Sequence, residues 1–89
     1  MKIPVDEILD CYRTKDLAEA SFLYASNKKL IRLDNQNGKV WFVFEDKLSC
    51  EDLSNTFWRK EAVINAKDFA DSIRTLKALI FNRERLKDG

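Results

Sequence analysis

Apolar and polar positions alternate most clearly along Leu30-Ile31-Arg32-Leu33-Asp34 and again along Val40-Trp41-Phe42-Val43-Phe44. A period of two marks half-buried strands. Between the two runs stands Asn37-Gly38, a dipeptide that readily takes the positive φ angles of a two-residue type I′ turn. This predicts an antiparallel hairpin with Gln36 opposite Lys39, Asp34 opposite Trp41, Leu33 opposite Phe42, Arg32 opposite Val43 and Ile31 opposite Phe44. Ile31, Leu33, Val40, Phe42 and Phe44 then face the core. Leu30, Arg32, Asp34, Trp41, Val43 and Glu45 share the other, mixed face.

Helical spacing surrounds the hairpin. Asp16 reads as an N-cap with Glu19 at the third helical position, ahead of a broad apolar face built from Leu17, Ala20, Phe22 and Tyr24. Lys28 and Lys29 follow, where cations suit a helix C-terminus. Ser49 opens a second helix with Cys50, Leu53 and Phe57 on one stripe. Asn65 caps a long third helix, with Phe69, Ile73, Leu76 and Ile80 in register. Ala62-Val63-Ile64 is a short β-branched run that offers a third strand, and Tyr12-Arg13-Thr14 offers an extended segment before the first helix. The expected fold is α+β, a hairpin packed with three helices in the order α-β-β-α-(β)-α. Residues 1–89 form one domain, with 1–11 as an N-terminal extension and 83–89 as a less ordered tail.

Charge and composition narrow the function classes. With 16 Lys+Arg, 15 Asp+Glu and a net charge of +1, no global field steers nucleic acid or membrane. Charge is nevertheless segregated: Glu45, Asp46, Glu51 and Asp52 cluster, while Arg74, Lys77, Arg83, Arg85 and Lys87 populate the C-terminal end. That segregation suits contacts within the molecule or between copies. Cys11 and Cys50 lack a CxxC spacing and read as reduced thiols of a cytoplasmic protein. No apolar run reaches the roughly 18 residues of a membrane span.

Histidine is absent, which removes Ser-His-Asp and Cys-His catalysis and the commonest transition-metal ligand. No glycine-rich loop is available to cradle phosphate, because Gly38 belongs to the hairpin and Gly89 is the last residue. The acidic cluster has oxygen ligands for a hard cation but reads more simply as helix-capping and solvated turn residues. Cys50, on an apolar helical stripe, reads as core rather than as a reactive thiol. The chain is thus expected to be non-catalytic, with no cofactor, no metal and no catalytic residue.

Two contact surfaces stand out. Trp41 and Val43 share the mixed hairpin face with Arg32, and Lys28, Lys29 and Lys39 lie at the strand ends; an aromatic amid cations suits a stacked single strand of nucleic acid. Trp58-Arg59-Lys60 ends the second helix with residue types favoured in protein interfaces. The principal expectation is a self-associating protein-interaction module, through the sheet face or the Trp58 corner. The alternative is a nucleic-acid-binding accessory protein of a mobile element.

Tyr12-Arg13-Thr14-Lys15-Asp16-Leu17-Ala18, Trp41-Phe42-Val43-Phe44-Glu45-Asp46 and Leu76-Lys77-Ala78-Leu79-Ile80-Phe81 also occur in an order and spacing that resembles a known family. It is a group of small bacterial and mobile-element proteins catalogued as domain of unknown function 5659, and the resemblance covers roughly residues 12–82. The departure is Asn27-Lys28-Lys29, where glycine is expected. The resemblance implies a compact α+β module and assigns no activity, cofactor, partner or functional residue.

Overall fold

The Asn37-Gly38 turn forms as its residues require, with φ angles of 54° and 80° and the Gly38 N–H donating to the Asn35 side chain at 3.2 Å. A computed structural model describes the backbone of residues 10–88 and the side chains of residues 10–82. In chain order the elements are β1 (Cys11–Thr14), α1 (Leu17–Ala25), β2 (Leu30–Gln36), β3 (Lys39–Glu45), α2 (Lys47–Trp58) and α3 (Ala66–Asp88). The expected N-terminal extension lies outside the described residues up to residue 9, whereas Cys11 already belongs to β1. The helical backbone of α3 continues through the expected tail to Asp88.

Among the described residues the sheet has three antiparallel strands in the order β1-β3-β2, so β3 lies between the other two. The third strand is therefore the Tyr12 segment at the start of the chain. Ala62-Val63-Ile64 is an extended connection instead, with no strand pairing and Val63 94% exposed. Strand-like composition alone does not make a strand: β1 and β2 are the edge strands of this sheet, and neither pairs with this connection.

The hairpin register holds from Gln36–Lys39 to Arg32–Val43, and then Leu30 rather than Ile31 pairs with Phe44. Ile31 is the extra residue of a β-bulge, and one inserted residue reverses the alternation beyond it. The assignment of Ile31 to the core face and Leu30 to the outer face is corrected accordingly: Leu30 packs against the core.

Phe42 and Phe44 of β3 meet Ala20 and Leu23 of α1, Cys50 of α2 and Leu76 of α3 in one fully buried cluster. The three helices among the described residues thus pack on one face of the sheet. Each fully buried phenylalanine contributes about 2–3 kcal/mol of apolar burial. Phe22 stacks on Phe57 with ring centroids 5.5 Å apart, tying α1 to α2.

The helix ends explain the short connections. Asp16 caps α1 by accepting the Glu19 N–H at 2.8 Å, and Asn65 caps α3 by accepting the Asp68 N–H at 3.0 Å. The second cap is Asp46 rather than Ser49, because the Asp46 carboxylate accepts the Ser49 N–H and starts α2 at Lys47. Asn27 ends α1 in the left-handed region, with Lys28 N–H donating to the Leu23 carbonyl and Asn27 N–H to that of Tyr24. Lys60 ends α2 in the same way, with Glu61 N–H on Thr56 and Lys60 N–H on Phe57. Both are Schellman closures. Asparagine tolerates this conformation, so the turn forms without the expected glycine.

Candidate functional site

Alternation along β1 and β3 places Cys11, Arg13, Trp41, Val43 and Glu45 on the sheet face opposite the core cluster. Trp41 is half-buried there. Its ring lies beneath the Arg13 guanidinium at 5.8 Å and the Lys15 ammonium at 5.6 Å. Both distances fall within cation–π range. Pairing of β1 with β3 explains the arrangement, since Thr14 opposes Phe42 and the next residue, Lys15, reaches the level of Trp41.

The residues expected to gather around Trp41 are dispersed. Arg32 does not lie over the ring but donates to Asp34 at 2.8 Å, and Arg13 reaches the same carboxylate at 2.9 Å. Arg32 first, then Arg13, hold the Asp34 carboxyl below its usual range against the opposing effect of burial. Val43 is completely buried, flanked in register by Arg13 and Arg32, and presents no surface. Lys28 lies 3.7 Å from Asp46, and Lys29 accepts the Glu45 N–H through its carbonyl. Both therefore sit at the far end of β2 from the Asp34–Trp41 pair. Lys39 alone of these lysines is near, beside Lys15.

Lys15 and Lys39 rim a surface cavity of about 540 Å³ whose other walls are Asp16, Leu17, Val40, Phe42 and Ile80. Neither lysine pairs with an acid among the described residues. Lys39, by direct contact and by repulsion, holds the Lys15 ammonium below its usual pKa.

A second polar centre lies in the core. Glu19 is only 4% exposed and its carboxylate accepts three hydroxyl donors. Tyr12 and Ser54 donate to Oε2 at 2.5 and 2.6 Å, and Thr14 donates to Oε1 at 2.7 Å. These are charge-assisted distances. Burial first, then the bond to Glu19, raise the Tyr12 phenol above its ordinary pKa. The signal was present in the sequence: Tyr12 and Thr14, two apart on a strand, both face the core and need an internal acceptor.

Cys50 is fully buried and its thiol donates to the Glu45 carbonyl at 3.4 Å. Burial pushes its pKa to about 11 from 9.0. The unfolded chain ionises near 9.0 and the folded chain near 11, so this contribution is complete below pH 9 and is lost as pH rises through 11. About 2–3 kcal/mol of stability should disappear over that window. Chemical denaturation at successive alkaline pH values checks this, and a Cys50→Ala variant should lose the part of the decline due to the thiol. Equal declines in both chains would refute the assignment. Among the described residues no group of three Cys, Asp or Glu side chains is placed to hold a metal ion.

At the end of α2, Trp58 is 58% exposed and meets Phe57 edge-on at 5.1 Å. Arg59 pairs with Glu61 at 3.1 Å, and Lys60 is exposed. Leu48, at the other end of the helix, is 74% exposed. Residues 48, 51, 52, 55, 58 and 59 fall within a roughly 120° arc at about 100° per residue. This exposed face carries an apolar group at each end, Glu51 and Asp52 toward the N-terminus and Arg59 toward the C-terminus.

Residues 9–82 match the family model described as Domain of unknown function (DUF5659). The chain belongs to this family. No curated protein and no solved structure matches it. Membership in DUF5659 carries no assigned chemistry, so the sites above rest on their own geometry. Among the described residues of this DUF5659 chain, no helix is long and apolar enough to cross a membrane.

Proposed function

We propose that the protein is a non-catalytic interaction module of the cytoplasm that self-associates through the exposed face of α2. The observation that carries this reading is the pair of exposed apolar residues, Leu48 and Trp58, at opposite ends of one helical face. An antiparallel, two-fold pairing of α2 with its copy brings each Leu48 to the Trp58 end of the partner helix. It also sets Glu51 and Asp52 of one copy within about a turn of Arg59 of the other. Such an isologous contact is self-complementary in both shape and charge. A single helix pair buries a small interface, so the dimer is weak, with Kd on the order of micromolar to tens of micromolar.

Sedimentation velocity across that concentration range should show a monomer–dimer equilibrium. Trp58→Glu and Leu48→Glu should each hold the chain monomeric while leaving its melting temperature nearly unchanged, because both side chains are exposed. A chain that is monomeric throughout, or variants that dimerise as well as the parent, would overturn the proposal.

Nucleic-acid binding is the second reading, favoured by the cations grouped at Trp41. Its contact set becomes Arg13, Lys15, Lys39 and Trp41. In a Trp58→Phe background, an oligothymidylate should quench Trp41 fluorescence at low salt and lose affinity steeply as salt rises. Absence of quenching at low salt excludes it.

A further inference from the structure

The cavity beside the Trp41 cluster has a composition that the helix-face contact leaves unused. Leu17, Val40, Phe42 and Ile80 supply apolar walls, and Lys15 and Lys39, whose side chains lie close together, line it as well. At about 540 Å³ it has the size of a small-molecule site, with a mainly apolar lining and a few convergent polar groups. Two lysines forced together without an acid between them are an unusual arrangement on a chain whose charges nearly balance. Asp16 also lines the cavity, but its carboxylate is engaged at the N-terminus of α1 by the Glu19 N–H at 2.8 Å. Lys15 is further fixed over the Trp41 ring at 5.6 Å, which limits the rotamer freedom it must lose on binding.

We propose that this cavity binds a small amphipathic carboxylate, with its acid group between Lys15 and Lys39 and its apolar body against Leu17, Val40 and Ile80. The anion relieves the repulsion between the lysines, and the apolar tail removes hydrocarbon surface from water. A nucleotide fits less well, because the exposed walls are largely aliphatic and offer no free aromatic plane for a base. The site is separate from the exposed face of α2, so its occupancy does not depend on dimer formation.

The test uses octanoate as the probe, followed by amide chemical shifts in the full chain. Saturable shifts at Leu17, Lys39, Val40 and Ile80 are expected. Octanol, the neutral counterpart, should bind about tenfold more weakly, and so should octanoate to the Lys15→Gln/Lys39→Gln double variant. Both lysines are exposed, so the double variant retains the fold and its spectrum reports that directly. Inorganic phosphate should leave the Leu17 and Ile80 amides unmoved. The proposal is overturned if octanoate causes no saturable shift there, if octanol or the double variant gives the same affinity, or if only an oligothymidylate moves these residues. The last result would instead favour nucleic-acid binding.

Discussion

Glu19→Ala should destabilise the protein by about 3–5 kcal/mol in urea-induced unfolding, because it leaves up to three buried hydroxyls without their acceptor at about 1–3 kcal/mol each, partly offset by relaxation. The side chain is nearly inaccessible and supplies the common acceptor for Tyr12, Thr14 and Ser54. Truncation leaves these hydroxyls without that acceptor inside the core and opens a void between β1, α1 and α2. Glu19→Gln keeps the volume but turns an amide donor toward hydroxyl donors, and should cost about 2 kcal/mol. Tyr12→Phe and Ser54→Ala should each cost about 1.5–3 kcal/mol, the range for hydrogen bonds to a charged group. Their effects should shrink when combined with Glu19→Ala, because the partner is already gone. A loss below about 1 kcal/mol for Glu19→Ala would show that the network contributes little.

Phe44→Ala should cost a similar amount, about 3–5 kcal/mol, through lost transfer energy and a residual cavity. Phe44 is fully buried on the central strand, with Tyr12 and Leu30 as its cross-strand neighbours on either side. No side chain on the rim can move in without disturbing both outer strands. Val63→Ala, at a nearly fully exposed position, serves as the control and should stay within about 0.5 kcal/mol. Equal midpoints for the two variants would place Phe44 outside the core and contradict the assigned sheet faces.

Much of the architecture was legible before the structure. The Asn37-Gly38 turn determines the register near the loop, and the cap residues Asp16 and Asn65 mark two helix starts. The bulge at Ile31 was not legible, because a local alternation of apolar residues carries no mark of an inserted residue, here the second residue of β2. It puts Leu30 on the core face in place of Ile31. Ala62-Val63-Ile64 has the composition of a strand, but pairing depends on whether the fold lays the segment alongside a sheet edge, which local composition does not encode. The start of α2 was misplaced by three residues because Asp46 adopts the left-handed conformation at φ 73° and caps from the end of β3.

The site was only partly legible for a related reason. Trp41 was identifiable on the outer face, but the cation expected above it came from the hairpin partner. The structure supplies Arg13 and Lys15 from β1 and the residue that follows it, a strand distant in sequence from Trp41. The same long-range pairing brings Lys15 beside Lys39. The Trp58 end of α2 needed only helical periodicity to be recognised. Leu48 joins it on one face once the helix begins at Lys47 rather than at Cys50.

Self-association through α2 makes a direct geometric demand: residues near the middle of that face must approach their own copies across the two-fold axis. An Asn55→Cys variant, oxidised under mild conditions and run on a non-reducing gel, reads this distance. The account predicts a disulfide-linked dimer for Asn55→Cys that Trp58→Glu suppresses, and little cross-linking for Lys77→Cys on α3. Equal cross-linking at the two positions, or none at Asn55→Cys, would contradict it.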